Sequence, residues 1–181
     1  TMAQSGEPQA LARYAAALLA EGRDKDACAT ELGSASSDVA ARAKRAAFLV
    51  PAFCAALSGD RSAALLALNL ARDNGVDTSF ANAALGGAKP PPLPKSLDVL
   101  DYLFLVQAKA ATSPEIAARA SSALLYRLAH DNEAAPALKL AAAEKAASLN
   151  VIDGETLGQA YRETAPSIGK SQSASSLRAR L

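Results

Sequence analysis

The chain has 181 residues, enough to bury a core, and its 19 basic and 18 acidic side chains leave a formal net charge of +1. Charges of both signs are scattered along the chain, so it lacks the basic face that nucleic acids require. Its longest apolar stretch, residues 46–57, is interrupted by Pro51 and is too short to span a bilayer. We therefore expect no nucleic-acid partner and no transmembrane segment.

Alanine makes up about a quarter of the residues, whereas aromatic residues make up 4%. Alanine loses no side-chain entropy in a helix, while strands are enriched in aromatic and β-branched residues. The composition therefore predicts an all-α fold. Because alanine offers little apolar area, we expect close packing of antiparallel helix pairs, as a tetratricopeptide-like α-solenoid or a compact array of about eight helices.

Apolar residues recur at helical spacing between Gly and Pro residues, and they predict five helices in the first half of the chain. Pro51 is expected to kink the third of these helices, and Asp60 is expected to cap the fourth. The predicted helices cover residues 8–22, 24–33, 36–57, 60–74 and 78–85.

Residues 87–95 contain four prolines, which remove backbone donors and fix φ. We predict a linker here, joining halves 8–86 and 96–165 of one helical-repeat domain. A docking motif for an SH3-type domain is the alternative, but neither Lys89 nor Lys95 stands at the basic position that such ligands need. Four helices are predicted after the linker, at residues 97–110, 113–128, 133–149 and 153–162. Ser96 is expected to cap the first, which should be deeply buried, and Asp153 is expected to cap the last.

The two ends of the chain are expected to lie outside the helical domain. Thr1 precedes Met2, an order that a natural initiator methionine would not allow. Residues 1–7 are therefore expected to be residues left by the expression vector or a mobile N-terminus. Residues 166–181 are polar and Ser-rich, and we expect a mobile tail that leads into a truncated helix. The natural protein is therefore expected to continue beyond this sequence.

A small residue follows a glycine at two corresponding helix turns. Gly22 is followed five residues later by Ala27, and Gly59 likewise by Ala64, which gives an offset of 37 residues. His130 and Ala135 have the same spacing of five residues, but a histidine stands in the place of the glycine. This offset is near the length of a tetratricopeptide-type helix pair, and it predicts a helical repeat.

The two cysteines, Cys28 and Cys54, have a spacing that can place them on facing helices. A disulfide there would join two Ala-rich helices that bury modest area. Two small buried side chains in a reducing cytosol fit the same spacing. The residues alone leave both interpretations open.

Three stretches, residues 19–28, 52–60 and 66–76, resemble a group of uncharacterised alphaproteobacterial envelope proteins with tetratricopeptide-like helices. The resemblance covers about the first half of the chain, and no established activity comes with it. It implies export to the periplasm and a disulfide between Cys28 and Cys54, since the relatives carry a cysteine in both of the corresponding stretches. Some relatives are labelled antifreeze proteins, but the threonines here follow no eleven-residue period: Thr30, Thr78, Thr112, Thr156 and Thr164.

The sequence contains no recognisable catalytic, cofactor or metal motif. Its single histidine, His130, is predicted at a helix C-terminus, where the dipole favours an imidazolium. Residues 169–171 resemble the end of a phosphate-binding loop, and residues 167–170 match the Ser-x-x-Lys pattern of penicillin-recognising enzymes, but neither has the surrounding framework such sites need. The acidic turn at residues 73–77 lacks the closing Glu of a calcium loop and is predicted to be a helix C-cap.

These features favour a non-enzymatic helical-repeat module that binds a protein or peptide partner in the cell envelope. A helical accessory domain of a larger cell-wall enzyme is one alternative. A bundle that holds an apolar ligand is another, since residues 100–106 are apolar almost all round. Tyrosine is enriched at interfaces but also lies at core edges, so four residues are weighed as contacts: Tyr14, Tyr102, Tyr126 and Tyr161.

Overall fold

The computed structural model describes residues 6–30, 32 and 41–164, with the side chains of residues 6–8 excepted. Within these ranges the chain is helical, and its β pairing is limited to an isolated bridge between Leu97 and Ala120. The all-α prediction is confirmed. The expectations for residues 1–5, for the start of the third helix at residues 36–38 and for the polar tail fall outside the described residues. Residues 6 and 7, which the sequence places outside the helical domain, belong to the first helix.

Ten helices occur in the described ranges. Nine of them carry the following bounds, and a tenth, α10, covers residues 154–164: α1 (Gly6–Ala20), α2 (Asp24–Ala29), α3 (Ala41–Leu57), α4 (Arg61–Asp73), α5 (Ser79–Gly86), α6 (Val99–Gln107), α7 (Glu115–Arg119), α8 (Ser122–His130) and α9 (Pro136–Ser148).

The chain forms two compact units. Unit 1 comprises Thr1–Pro92 and Asp98–Ala110, and unit 2 comprises Leu93–Leu97 and Ala111–Leu181. Helices α1 to α6 therefore belong to unit 1, and α7 to α10 belong to unit 2. This division differs from the predicted one at the Pro-rich segment, because α6 packs against α1, α3 and α5.

Helix α3 is the centre of unit 1, where it packs against α1, α2, α4, α5 and α6. The rings of Phe53 in α3 and Phe104 in α6 meet edge to face, with centroids 6.2 Å apart. The first seven residues of α6, Val99–Leu105, are all buried, as predicted for a helix that is apolar almost all round. The predicted Ser96 cap is wrong, because the side chain of Asp98 instead accepts the Asp101 N–H at 2.9 Å.

Several helices of both units end in the same left-handed turn. At Gly22 and at Gly59 φ is positive, and the next backbone N–H donates to the carbonyl five residues back, Arg23 to Leu18 and Asp60 to Ala55, each at 2.9 Å. The same closure occurs after Gly75, Lys109 and Asn150. His130 does not have this positive φ. The turn is therefore a general C-cap of this chain, and the 37-residue repeat stays a prediction.

Cys28 and Cys54 are joined by a disulfide, with their Cα atoms 5.5 Å apart. The bond links α2 to α3. Helix α2 is shorter than predicted, because it ends at Ala29 and Thr30 is extended. A helix of six residues is not stable by itself. Its position therefore depends on the burial of Ala27, which is fully covered, and on the bond to α3.

In unit 2 the predicted helix over residues 113–128 is broken into α7 and α8. The break lies at Ala120, where the Leu97 N–H donates to Arg119 O at 2.8 Å and the Ser121 N–H donates to Leu97 O at 2.9 Å. The Ser121 side chain then accepts the Leu124 N–H and caps α8. A distant backbone pairing thus replaces one turn of helix.

Two basic side chains reinforce this arrangement. The guanidinium of Arg119 donates to the carbonyls of Leu93 and Pro94 at 2.8 and 3.3 Å, and Lys145 Nζ donates to the carbonyls of Ala117 and Ala118 at 3.1 and 2.6 Å. The C-terminal end of the Pro-rich segment is therefore bound to unit 2.

Helices α8, α9 and α10 share an apolar cluster of Ala129, Ala143 and Ala160, against which Ile152 and Leu157 pack. The Asp153 side chain accepts the Thr156 N–H at 2.8 Å and so caps α10 as predicted. The three alanines allow the helices to approach closely. Larger side chains complete the core of unit 2, and the fully buried ones include Ile116, Leu124, Leu125, Leu128 and Leu138.

The disulfide should contribute strongly to the stability of unit 1. Its cysteines are separated by 26 residues, and the chain-entropy model gives about 3–4 kcal/mol for a loop of this length. We expect reductant, or the double substitution Cys28→Ser and Cys54→Ser, to lower the free energy of unfolding by that amount in urea titrations. Mass spectrometry after alkylation should find both thiols blocked only after reduction. Labelling of both thiols without reductant would contradict the assignment.

Replacing Lys109 with glycine should stabilise the fold. It has φ of 55° at the end of α6, a conformation that costs a side-chain-bearing residue energy but not glycine. We expect Lys109→Gly to raise the stability by about 0.5–1 kcal/mol, since the relieved strain exceeds the entropy that glycine loses on folding. Gly75→Ala, at φ of 73°, is the matched control and should lower stability. If thermal unfolding showed that both variants change the stability in the same direction, this explanation would be refuted.

Candidate functional site

The residues weighed from sequence do not come together in a reactive site. His130 lies exposed in the last turn of α8, with Nδ1 2.8 Å from the carbonyl of Tyr126 and its ring 4.3 Å from the Tyr126 ring. Tyr102 is buried, whereas the other tyrosines are partly exposed. The phosphate-loop and Ser-x-x-Lys matches lie outside the described residues. The acidic turn is the C-cap of α4, as predicted, with Asn74 and Gly75 closing the helix.

Among the described residues, no group of three or more His, Cys, Asp or Glu side chains is placed to hold a metal ion. None of the helices in the described part of the chain is both long and apolar enough to cross a bilayer. Two other features of unit 1 stand out, an apolar strip on α4 and a buried group of charges between α3 and α6.

Helix α4 is apolar on two sides. Its inner side, with Ala64, Leu68 and Ala71, is buried, and Asp60 caps its N-terminus by accepting the Ala63 N–H at 2.9 Å. A second set of apolar residues recurs at i, i+3, i+4 and i+7 on the outer side, and we call these four residues the α4 strip: Ala63, Leu66, Ala67 and Leu70.

The α4 strip presents large apolar side chains to solvent. Leu66 is 71% exposed and Leu70 is 54% exposed. Single exposed leucines are common on soluble proteins, but two leucines one helical turn apart, flanked by alanines, form a continuous apolar surface. The strip is therefore a candidate contact surface.

The α4 strip was not predicted from the sequence. Helix α4 has four leucines and four alanines, and three of these eight residues are buried: Ala64, Leu68 and Ala71. One face of a helix cannot bury all eight, so the composition of α4 already indicates that apolar residues stay exposed. Which apolar residues remain outside depends on the neighbouring helices, which the local pattern does not specify.

A buried group of charges joins α3 to α6. We call it the Arg45 cluster, and it contains Arg45, Asp98 and Asp101. Arg45 Nε lies 2.9 Å from an Asp98 carboxylate oxygen, and the Arg45 guanidinium also donates to the Asp101 carboxylate. The Asp101 side chain is 10% exposed, so α6 carries an acid into the core of unit 1.

Burial raises the pKa of the Asp101 carboxyl to about 7, with the nearby Asp98 carboxylate adding to the rise and Arg45 opposing it. A perturbed acid of this kind is sometimes a catalytic group. Here Asp98 is the cap of α6 and Arg45 is held by both acids, so the cluster has a structural role in fastening α6 to α3.

The Arg45 cluster was also missed from sequence. Arg45 stands in an otherwise Ala-rich helix, and Asp98 and Asp101 have the spacing of a cap and its first turn. Both features also occur in residues that are exposed to solvent, so they do not predict a buried cluster. Only the packing of α3 on α6 brings the three side chains together.

The chain matches no protein-family model, and no curated protein or solved structure is significantly similar to it.

Removal of Arg45 should destabilise unit 1. Arg45→Gln leaves two acids without their cation, and we expect a loss of about 2–3 kcal/mol, below the ~3–5 kcal/mol typical of a fully buried pair because Asp98 is 43% exposed. Arg23→Gln is the matched control, since Arg23 pairs with Asp26 at 2.8 Å on the exposed surface and should matter little. Equal urea midpoints for the two variants would show that the cluster does not stabilise the fold.

Proposed function

We propose that this protein is a non-enzymatic helical module that binds a protein or peptide partner in the cell envelope, and that the α4 strip is its contact surface. The exposure of Leu66 and Leu70 carries the proposal. Covering them removes apolar area from water, which favours association. The i, i+3, i+4, i+7 spacing is also the one by which helices dock apolar residues against a partner.

The size of the α4 strip limits the kind of contact. Seven residues of helix rise about 10 Å, so the strip offers two turns of α4. This is small beside the ~800 Å² per partner of a standard stable interface. The strip is therefore suited to a single short apolar segment or to a transient contact.

The proposed location in the periplasm has its support in two observations. The Cys28–Cys54 disulfide is of a kind that persists in oxidising compartments. The resemblance of the first half of the chain to alphaproteobacterial envelope proteins agrees with this compartment. The tetratricopeptide-like repeat belongs to the same proposal. The accessory-domain and apolar-ligand functions stay predictions from the sequence.

The proposal is tested by placing a photo-crosslinking amino acid at position 66, 70 or 149 of the full-length protein in its native cells. Leu149 in unit 2 is the matched control, because it is 53% exposed and Leu70 is 54% exposed. We expect positions 66 and 70 to capture the same polypeptide and position 149 not to capture it. With that polypeptide purified, Leu66→Glu should weaken binding at least about tenfold, which corresponds to ~1.4 kcal/mol, while Leu149→Glu should not.

Two results would refute the proposal. One is an identical set of crosslinked products from all three positions. The other is unchanged affinity of the Leu66→Glu variant, provided that its circular dichroism spectrum remains helical.

A further inference from the structure

The Arg45 cluster contains more acids than bases. Its two carboxyl groups share one guanidinium, and the Asp101 residue is 7% exposed. The Asp98 carboxylate accepts the Asp101 N–H at 2.9 Å, lies 2.9 Å from Arg45 Nε and sits at the N-terminus of α6, where the helix dipole favours negative charge. If Asp101 is also ionised, one negative charge in the cluster has no cation.

The two carboxyl groups lie beside each other on one cation. Arg45 Nε lies 2.9 Å from an Asp98 carboxylate oxygen, and the same guanidinium donates to the Asp101 carboxylate. Two ionised carboxylates at such a site repel each other, so one proton bound by the pair removes the repulsion. The proton belongs to Asp101, because its side chain is 10% exposed and that of Asp98 is 43% exposed.

In the described part of the chain, the cation paired with Asp101 is Arg45. Helix α6 packs against α1, α3 and α5. Besides Arg45, helix α3 carries Arg42, which is exposed, and Lys44, which is partly exposed. Helix α5 has no ionisable side chain, and Asp77 before α5 adds a further negative charge near Arg45. Helix α1 carries Arg13 and Tyr14, and both are exposed to solvent.

We propose that the Asp98–Asp101 pair binds a single proton in mildly acidic medium and that this proton fastens the start of α6 to α3. With the proton bound, the Arg45 cluster is neutral overall. Its loss places a second negative charge beside Asp98, and the two carboxylates then repel each other. Unit 1 is therefore held more firmly at mildly acidic pH than at alkaline pH.

The direction of the pH dependence follows from the difference in proton binding between the folded and unfolded states. The pKa of Asp101 is raised to about 7 in the folded protein, mainly by burial, against ~3.9 for an aspartate in an unfolded chain. Between these values the folded state binds more protons, so stability is fully present at the acidic end and is lost as pH rises through the folded pKa. Three acids have a lowered pKa, which acts in the opposite sense but below about pH 4.5: Asp77, Asp153 and Glu163.

The first measurement is a carbon-13 NMR titration of the Asp101 carboxyl group in the wild-type chain, which requires no substitution. We expect its midpoint near pH 7. In Asp98→Asn the midpoint should fall, because the like charge is gone. A wild-type midpoint near the unfolded value of ~3.9 would overturn the proposal.

The second measurement is urea unfolding between pH 5 and 8, followed by the methyl signals of α6 leucines so that unit 1 is observed. The unfolding constant of the wild type should rise with pH, by at most about tenfold per pH unit for one proton. Asp101→Asn should abolish this rise. Asp26→Asn, which removes an exposed acid paired with Arg23, should leave it unchanged. An identical pH dependence in wild type and Asp101→Asn would refute the proposal.

Discussion

The scarcity of apolar area per residue is the constraint on which this structure depends. An alanine-rich helix hides little surface unless its neighbour approaches closely, and in unit 2 Ala129, Ala143 and Ala160 allow such an approach. Large side chains supply much of the remaining buried area, with Phe53 against Phe104 in unit 1 and the fully buried leucines of α8 in unit 2. Covalent and polar links add to this limited burial, and the disulfide between α2 and α3 is the strongest of them.

The same scarcity of apolar area makes the exposure of the α4 strip unusual for this chain. A chain with little apolar area gains most by burying its leucines, yet Leu66 and Leu70 remain largely exposed. They add nothing to the core of unit 1, while each exposed leucine favours association with another surface. Helix α4 already has its own buried side in Ala64, Leu68 and Ala71, so the outer leucines are not needed to hold it in place.

Local signals predicted local structure well. The Asp60 and Asp153 caps and the left-handed turns at Gly59 and Gly75 occur where the sequence places them, because each depends on residues within one turn. Predictions failed where distant residues intervene. The pairing of Leu97 with Ala120 splits one predicted helix into α7 and α8, and the packing of α6 places residues 98–110 in unit 1 although they follow the Pro-rich segment. The α4 strip and the Arg45 cluster also result from the packing of helices, so no sequence motif predicted them.

Long polar side chains complete the structure where alanine leaves space. Lys145 binds the final carbonyls of α7, and Lys139, which is buried, pairs with Glu163 at 2.7 Å. In these links donors and acceptors match, so each buried cation is satisfied. The Arg45 cluster differs, because one guanidinium faces two carboxyl groups. A proton is the smallest cation that can balance such a pair, which makes the attachment of α6 depend on the medium.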